Sequence, residues 1–260
     1  MTTPLPAPIY PKRYFSASPT WFAWNKLTSS DLHTLREEPG FESQHIYFHL
    51  NHPIRYVRLV GLVVDIDVRV GKYILITLDD SSGACIEIKT EARVVRDGDG
   101  AEWPSNTVLD NLDLVTGIGR PPSLLVDRKA VDIGTVVKVK GTIDTFRGTR
   151  QIQLERIWIV KDTNDEAKAW AETAEWKRDI LGRPWVLSKA QRQAMDAQAE
   201  REAREERQKA QKRRVRSAES ERKREEKERR GEEKRRAREV KLDKGALVGS
   251  SVVPMRVTDS

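Results

Sequence analysis

Residues 52–90 constrain the fold more than any other stretch of this chain. They read HPIRYVRLVGLVVDIDVRVGKYILITLDDSSGACIEIKT. Three apolar runs are separated by Arg69-Val70-Gly71-Lys72 and by Asp79-Asp80-Ser81-Ser82-Gly83. β-Branched side chains dominate the runs, and Gly, Asp and Ser mark the breaks, so strand, turn, strand, turn, strand is predicted. In the second run Ile74, Ile76 and Leu78 share one face, and Tyr73, Leu75 and Thr77 the other. In the third, Ile86 and Ile88 oppose Cys85, Glu87 and Lys89. The first run, residues 55–68, exceeds the usual strand of roughly five or six residues. It can serve two sheets only by bending, and Gly61 is where the bend is expected.

Two further strands follow. Residues 136–146, VVKVKGTIDTF, set Val137, Val139, Gly141 and Ile143 against Lys138, Lys140 and Thr142. After the turn Arg147-Gly148-Thr149-Arg150, residues 151–160 form the last strand. A three-strand meander and a hairpin, led by a long coiled strand, predict a mainly β fold, a five-stranded OB-fold Greek-key barrel. Closure also removes the exposed edges such strands would present. An SH3-like barrel is the rival, with shorter strands. Residues 91–134, punctuated by Gly and Pro, are expected to be an irregular insertion with a short helix near 108–115.

The flanks differ in character. Residues 1–19 are rich in Pro, Ala and Ser and read as a flexible arm before a domain spanning 20–160. Trp21, Phe22, Trp24 and Leu27 read as aromatic packing onto that domain, and Ser29-Ser30-Asp31 as the cap of a short helix over 32–37. Residues 161–182 read as an amphipathic helix begun by Asp162, Thr163 and Asp165 and stopped by Gly182-Arg183-Pro184. Trp170, Ala174 and Leu181, widened by Ala169, Thr173, Trp176 and Ile180, give an apolar face of roughly half the circumference. Lys168, Glu172, Glu175 and Asp179 fill the other side. That face either packs on the barrel or meets another protein.

Charge separates the rest. Of 260 residues 33% are charged and the net charge is +7, and beyond residue 188 large apolar side chains nearly vanish. Residues 183–244 read as a charged helix supported by pairs such as Glu225–Arg229 and Glu232–Arg236, without a coiled-coil seam. Lys212-Arg213-Arg214 and Lys234-Arg235-Arg236 read either as solvated surface or as phosphate-binding or nuclear-targeting clusters. Residues 245–260 are expected to be disordered. The single cysteine, Cys85, permits no intrachain disulfide, no apolar run reaches the ~18 residues of a membrane span, and the N-terminus lacks a secretory core. An intracellular protein with no membrane association is expected.

No catalytic constellation, cofactor fingerprint or metal set is legible, and the chain does not read as an enzyme. His45, His49 and His52 lie in a stretch that Tyr47, Phe48, Asn51 and Pro53 bar from helix. Asp79 and Asp80 read as turn residues; with Arg147 and Arg150 nearby, a nuclease on an OB scaffold is the alternative. The binding signal is stronger. Arg69 and Lys72 flank Tyr73, Arg147 and Arg150 follow Phe146, Lys89, Lys138 and Lys140 point out of the barrel, and Trp158 is a further stacking candidate. Cations interleaved with aromatics suit single-stranded nucleic acid.

The segments PTWFAWNKL, IYFHLNHPIRYVRLVGLVVDI, YILITLDDSSG and GTVVKVKGTIDTFRGTRQI resemble the N-terminal OB domain of the Stn subunit of the telomere-capping CST complex. The likeness covers residues 19–181 and is to a shorter, fungal-type form, or to a truncated chain, since the winged-helix domains of metazoan members are replaced here by charged helix. It implies a nuclear protein at the telomeric region of chromosomes. Such a subunit would pair with the small Ten OB-fold subunit, associate with a larger DNA-binding CST subunit, and bind single-stranded telomeric DNA weakly. It would protect chromosome ends and support lagging-strand fill-in by polymerase alpha–primase. On this resemblance Trp170, Ala174, Trp176, Ile180 and Leu181 become the partner interface. The middle subunit of replication protein A shares the architecture and is the alternative.

Overall fold

In the computed structural model, which describes residues 7–93, 107–117 and 120–249, the first element is a 3-10 helix at Lys12–Ala17. Next come β1 (Asn25–Lys26), α1 (Ser29–Thr34), β2 (Tyr47–His49), β3 (His52–Ile54), β4 (Tyr56–Arg69), β5 (Tyr73–Asp79) and β6 (Cys85–Glu91). They are followed by β7 (Leu112–Gly117), β8 (Arg120–Val126), β9 (Lys129–Val131), β10 (Val136–Phe146) and β11 (Thr149–Ile159). The helix α2 (Thr163–Trp176) runs on into a π-helical turn, Lys177–Leu181, and α3 (Lys189–Gly249) ends the described chain.

β4 uses its two halves for two partners, pairing with β10 over Tyr56–Leu62 and with β5 over Leu62–Arg69. β5 pairs with β6, β6 runs parallel to β11, and β11 returns antiparallel to β10. The ring β4-β5-β6-β11-β10 therefore closes as an OB-fold barrel, with its third and fifth strands parallel. Period-two alternation fills it: Ile74, Ile76, Leu78, Ile86, Ile88, Val137, Val139, Ile143, Ile152 and Ile157 are all buried. Each such side chain contributes about 1.5–3 kcal/mol by leaving water. The long strand slips register between Val63 and Asp65, just beyond Gly61. Gly61 instead serves close approach, since a Cβ there would lie 2.8 Å from the Asp79 carbonyl oxygen.

Three expectations are corrected. Among the described residues of the expected irregular insertion over 91–134 there is no helix near 108–115: β7, β8 and β9 form a three-stranded sheet there. Leu112, Leu114, Leu124, Val126 and Val131 are its buried side, a period-two signal that the glycines and prolines mask. Pro121 and Pro122 fall where β7 and β8 slip register, so no ladder bond is demanded of them. From residue 7 onward the flexible arm is instead packed: Tyr10, Tyr14 and Phe15 are buried, and the Phe15 ring lies 5.3 Å from Phe41 and 6.0 Å from Phe48. α1 begins a turn earlier than expected because Thr28, not Ser29, caps it, in a reciprocal box with Asp31.

The Asp79–Gly83 turn is held by its own carboxylates. Asp79 Oδ1 accepts from the Ser81 amide at 2.8 Å, and Asp80 accepts from the Ser82 and Ser29 amides at 3.1 and 2.7 Å. The second of these fixes α1 to the barrel. Beyond α2, Trp185 and Leu187 turn back to be buried, and the Asn51 side chain donates to the Trp185 carbonyl and accepts from its amide, at 2.7 and 2.8 Å. Residues up to Arg192 form one compact unit, and residues 193–260 another. Within the second, helix continues through residues 245–249, and the expected disorder over 250–260 lies outside the described residues.

Candidate nucleic-acid and partner surfaces

The barrel wall divides the sequence-predicted binding residues into three groups. In the first, Arg69 and Tyr73 face each other across the β4–β5 turn beside exposed Lys72, and the Lys89 ammonium lies 5.6 Å from the Tyr73 ring centre. Arg69 also reaches Asp67 at 3.2 Å. In the second, exposed Phe146 carries the Arg147 guanidinium 5.2 Å above its ring, at the β10–β11 turn. Because Gln151 aligns with Glu87 near the start of β6, while Tyr73 aligns with Glu91 at its end, these two groups sit at opposite ends of the β5–β6 face. Arg150 does not join them. Its side chain is 13% exposed, paired with Glu37 at 2.6 Å, bonded to the Leu35 carbonyl and stacked 4.1 Å from the Tyr47 ring. It is a tie between β11 and the loop after α1, not a free cation.

The third group is the densest, on the outer face of β10 and β11. Lys138 faces Trp158 across the ladder, its ammonium 5.3 Å from the ring. The Lys140 ammonium lies between two indoles, 5.2 Å from Trp24 and 5.6 Å from Trp158. In register with Lys140 stand Arg58 on β4 and Arg156 on β11. Partial burial, and then the charges of Lys138, Arg156 and Arg58, hold the Lys140 ammonium below its ordinary pKa. An arriving anion would relieve that crowding. In the sequence Trp24 read only as an aromatic packing onto the domain, and Arg156 was not picked out. Trp24 is placed by the parallel pairing of β1 on β4. Arg156 reaches Lys140 because a bulge after Lys140 shifts the β11 register.

α2 lies against the same side of the barrel. Asp162 caps it, accepting from the Asp165 amide at 2.8 Å. Its inward side is partly polar: Arg58, 7% exposed, donates to Glu172 at 2.6 Å and to the Ala169 carbonyl at 3.1 Å. Lys26 adds a second contact to Glu172 at 3.1 Å, and these two cations lower the Glu172 pKa. A cleft of about 330 Å³ between helix and barrel is lined by Arg58, Lys138, Trp158, Lys161 and Lys168 among others. The five residues predicted as one partner face separate. Trp170 is 51% exposed and Ala174 is exposed, whereas Trp176 and Ile180 pack on the core and Leu181 is buried within it. Trp176 lies about 120° from Trp170 on a regular wheel and so turns toward the barrel, while the π-helical turn over Lys177–Leu181 winds less per residue than the 100° assumed and swings Leu181 inward. Glu172, expected on the outer side, faces the barrel.

Residues 39–96 and 122–234 match the family model described as telomere regulation protein Stn1. Among individual relatives, protein stn1 of Schizosaccharomyces pombe is 26% identical over 164 residues, 62% of this chain and 41% of that protein. CST complex subunit STN1 of Bos taurus is 27% identical over 154 residues, 58% of this chain and 40% of that protein. The chain thus spans about two fifths of the length of these curated relatives. A crystal structure of yeast Stn1 and Ten1 superposes with a TM-score of 0.51 at 18% identity, covering 73% of this chain and 91% of that one, a likeness of fold.

Proposed function

The chain belongs to the family of the telomere regulation protein Stn1, whose match takes in the barrel strands, α2 and most of α3, and from that premise we propose that it is the OB-fold subunit of a telomere-capping complex of the CST type. In this reading it pairs with a small Ten-type OB-fold subunit, joins a larger DNA-binding subunit, and acts in the nucleus at chromosome ends. It binds single-stranded telomeric DNA weakly, and the complex protects ends and supports fill-in by polymerase alpha–primase. Its role is assembly rather than chemistry.

The observation that carries the pairing is Trp170. A half-exposed indole stands on a helix whose opposite side is fixed to the barrel by Ala169, Arg58 and Glu172. Trp is enriched where interfaces concentrate their energy. Support also comes from the yeast structure of similar fold, which contains Stn1 and Ten1. Coexpression with a Ten-type subunit should give a one-to-one complex, and Trp170→Ala should weaken it by about 2 kcal/mol or more. A complex indifferent to Trp170 would remove this role for α2.

For DNA, the reading assigns stacking to Trp24 and Trp158 and phosphate contact to Lys138, Lys140 and Arg156. Arg69, Lys72, Tyr73 and Lys89 form a second, weaker track, with Phe146 and Arg147 at its far end. Replacing Trp158 by Ala should cost about 1–3 kcal/mol of single-strand affinity. Unchanged binding would move the site to the β5–β6 face.

A further inference from the structure

The helix α3 carries a pattern that neither the barrel nor its pairing uses. Over residues 209–241 there are sixteen Lys and Arg against eight Glu, and their placement is not even. Lys212, Arg216, Lys223, Lys227, Lys234 and Arg238 recur at intervals of four and seven. At about 100° per residue those intervals keep all six within about 80° of one another around the helix. Every Glu of the same stretch falls at least about 60° from the midline of that stripe. All six side chains are exposed, and none lies within 4.0 Å of a carboxylate among the described residues. The carboxylates that do pair serve neighbours, as in Glu226–Arg230 at 3.0 Å and Glu228–Arg224 at 3.1 Å. At 1.5 Å per residue the stripe, from Lys212 to Arg238, is about 39 Å long.

We infer that this stripe is a binding site for the phosphate backbone of single-stranded nucleic acid, separate from the barrel surface. The charge sign calls for a polyanion. No Val, Leu or aromatic residue lies on the stripe, so it offers no apolar edge to a bilayer, no coiled-coil seam and no dry core for a protein interface. Point cations spaced along a rod suit phosphates, which need charge and little buried area. A straight rod meets each strand of a duplex only briefly before the groove turns it away, whereas a flexible single strand can follow the whole length.

The test uses the full chain and a labelled oligothymidylate long enough to span the helix. Affinity is measured against salt concentration. Changing the six stripe residues to Gln keeps good helix formers and should reduce the slope of log affinity against log salt by as much as about four, at roughly 0.7 per phosphate contact. Changing Arg204, Arg207, Arg214, Arg222, Arg229 and Arg236 to Gln removes equal charge from other faces and should change the slope by less than about one. Trp24→Ala with Trp158→Ala should lower affinity without changing the slope, which separates failure of the barrel site from failure of this one. Equal loss from both six-residue sets would overturn the inference, as would no loss from the stripe set. So would a greater loss of binding to duplex of the same length, or transfer of the effect to an acidic peptide.

Discussion

Gly141 sits where β10 and β11 slip by one residue, and a Cβ there would collide with the Gln153 backbone oxygen and the Ile152 side chain. Neither neighbour can withdraw, because Ile152 is fully buried and Gln153 O belongs to the ladder. Gly141→Ala should therefore cost about 3 kcal/mol, read as a lower midpoint in urea unfolding. The substitution also perturbs the bulge that brings Arg156 beside Lys140. His52 makes a second prediction. It is 2% exposed, hydrogen-bonded through Nε2 to the Arg183 carbonyl, and burial holds its pKa below the ordinary 6.5, as burial also does for His49. The unfolded chain thus binds the proton more readily than the folded one. Stability is fully present above pH 6.5 and is lost as pH falls below it toward the depressed folded values. Thermal unfolding should show this decline, and His52→Gln should flatten part of it. Side chains acting within a few residues were legible in the sequence: the Asp79 and Asp80 turn bonds are local chemistry. Arg150 was not, because its partners Glu37 and the Leu35 carbonyl lie 113 and 115 residues away.

Among the elements, strands whose two faces alternate strictly were readable, and so was the order in which they close. The β7–β9 sheet was not, because Gly and Pro at its turns and register slip outweighed a short alternation. α2 was readable in its start and stop but not in its rotation. A wheel drawn at constant pitch puts Trp170 and Leu181 together; the π-helical turn separates them, and Arg58, a strand residue, claims the helix face at Glu172. This yields a paired prediction. Trp170→Ala should leave the barrel's urea midpoint within about 0.5 kcal/mol of the parent, as surface changes do, while weakening the Ten-type pairing. Trp176→Ala, by contrast, removes an indole packed on the core and should lower stability by about 3 kcal/mol. If both variants lost only the partner, the helix would be docked in another orientation.

At the scale of the molecule, the limit of the folded unit is set by contacts that no local pattern reveals. The sequence placed the end of the helix at Gly182 and assigned residues 183–244 to charged helix. Yet Asn51 holds Trp185 from 134 residues away, and the Tyr10 hydroxyl accepts from the Leu187 amide across 177. The Tyr10 ring lies 4.9 Å from Trp185 and 5.0 Å from the Arg192 guanidinium, so the first residues described and the end of the unit lock each other. A chain ending at Arg192 should then melt at the temperature of the full protein, because residues 193–242 bury almost nothing of their own. A chain ending at Gly182 should lose about 3–5 kcal/mol, the range for deleting a large buried side chain such as Trp185. The same cut removes the Arg183 carbonyl that His52 uses and opens that imidazole to water. Its pKa should then return toward 6.5 and the acid-side decline in stability should shrink. A shorter chain that kept the full decline would place the buried histidine proton elsewhere, on His49, which titrates in the same direction.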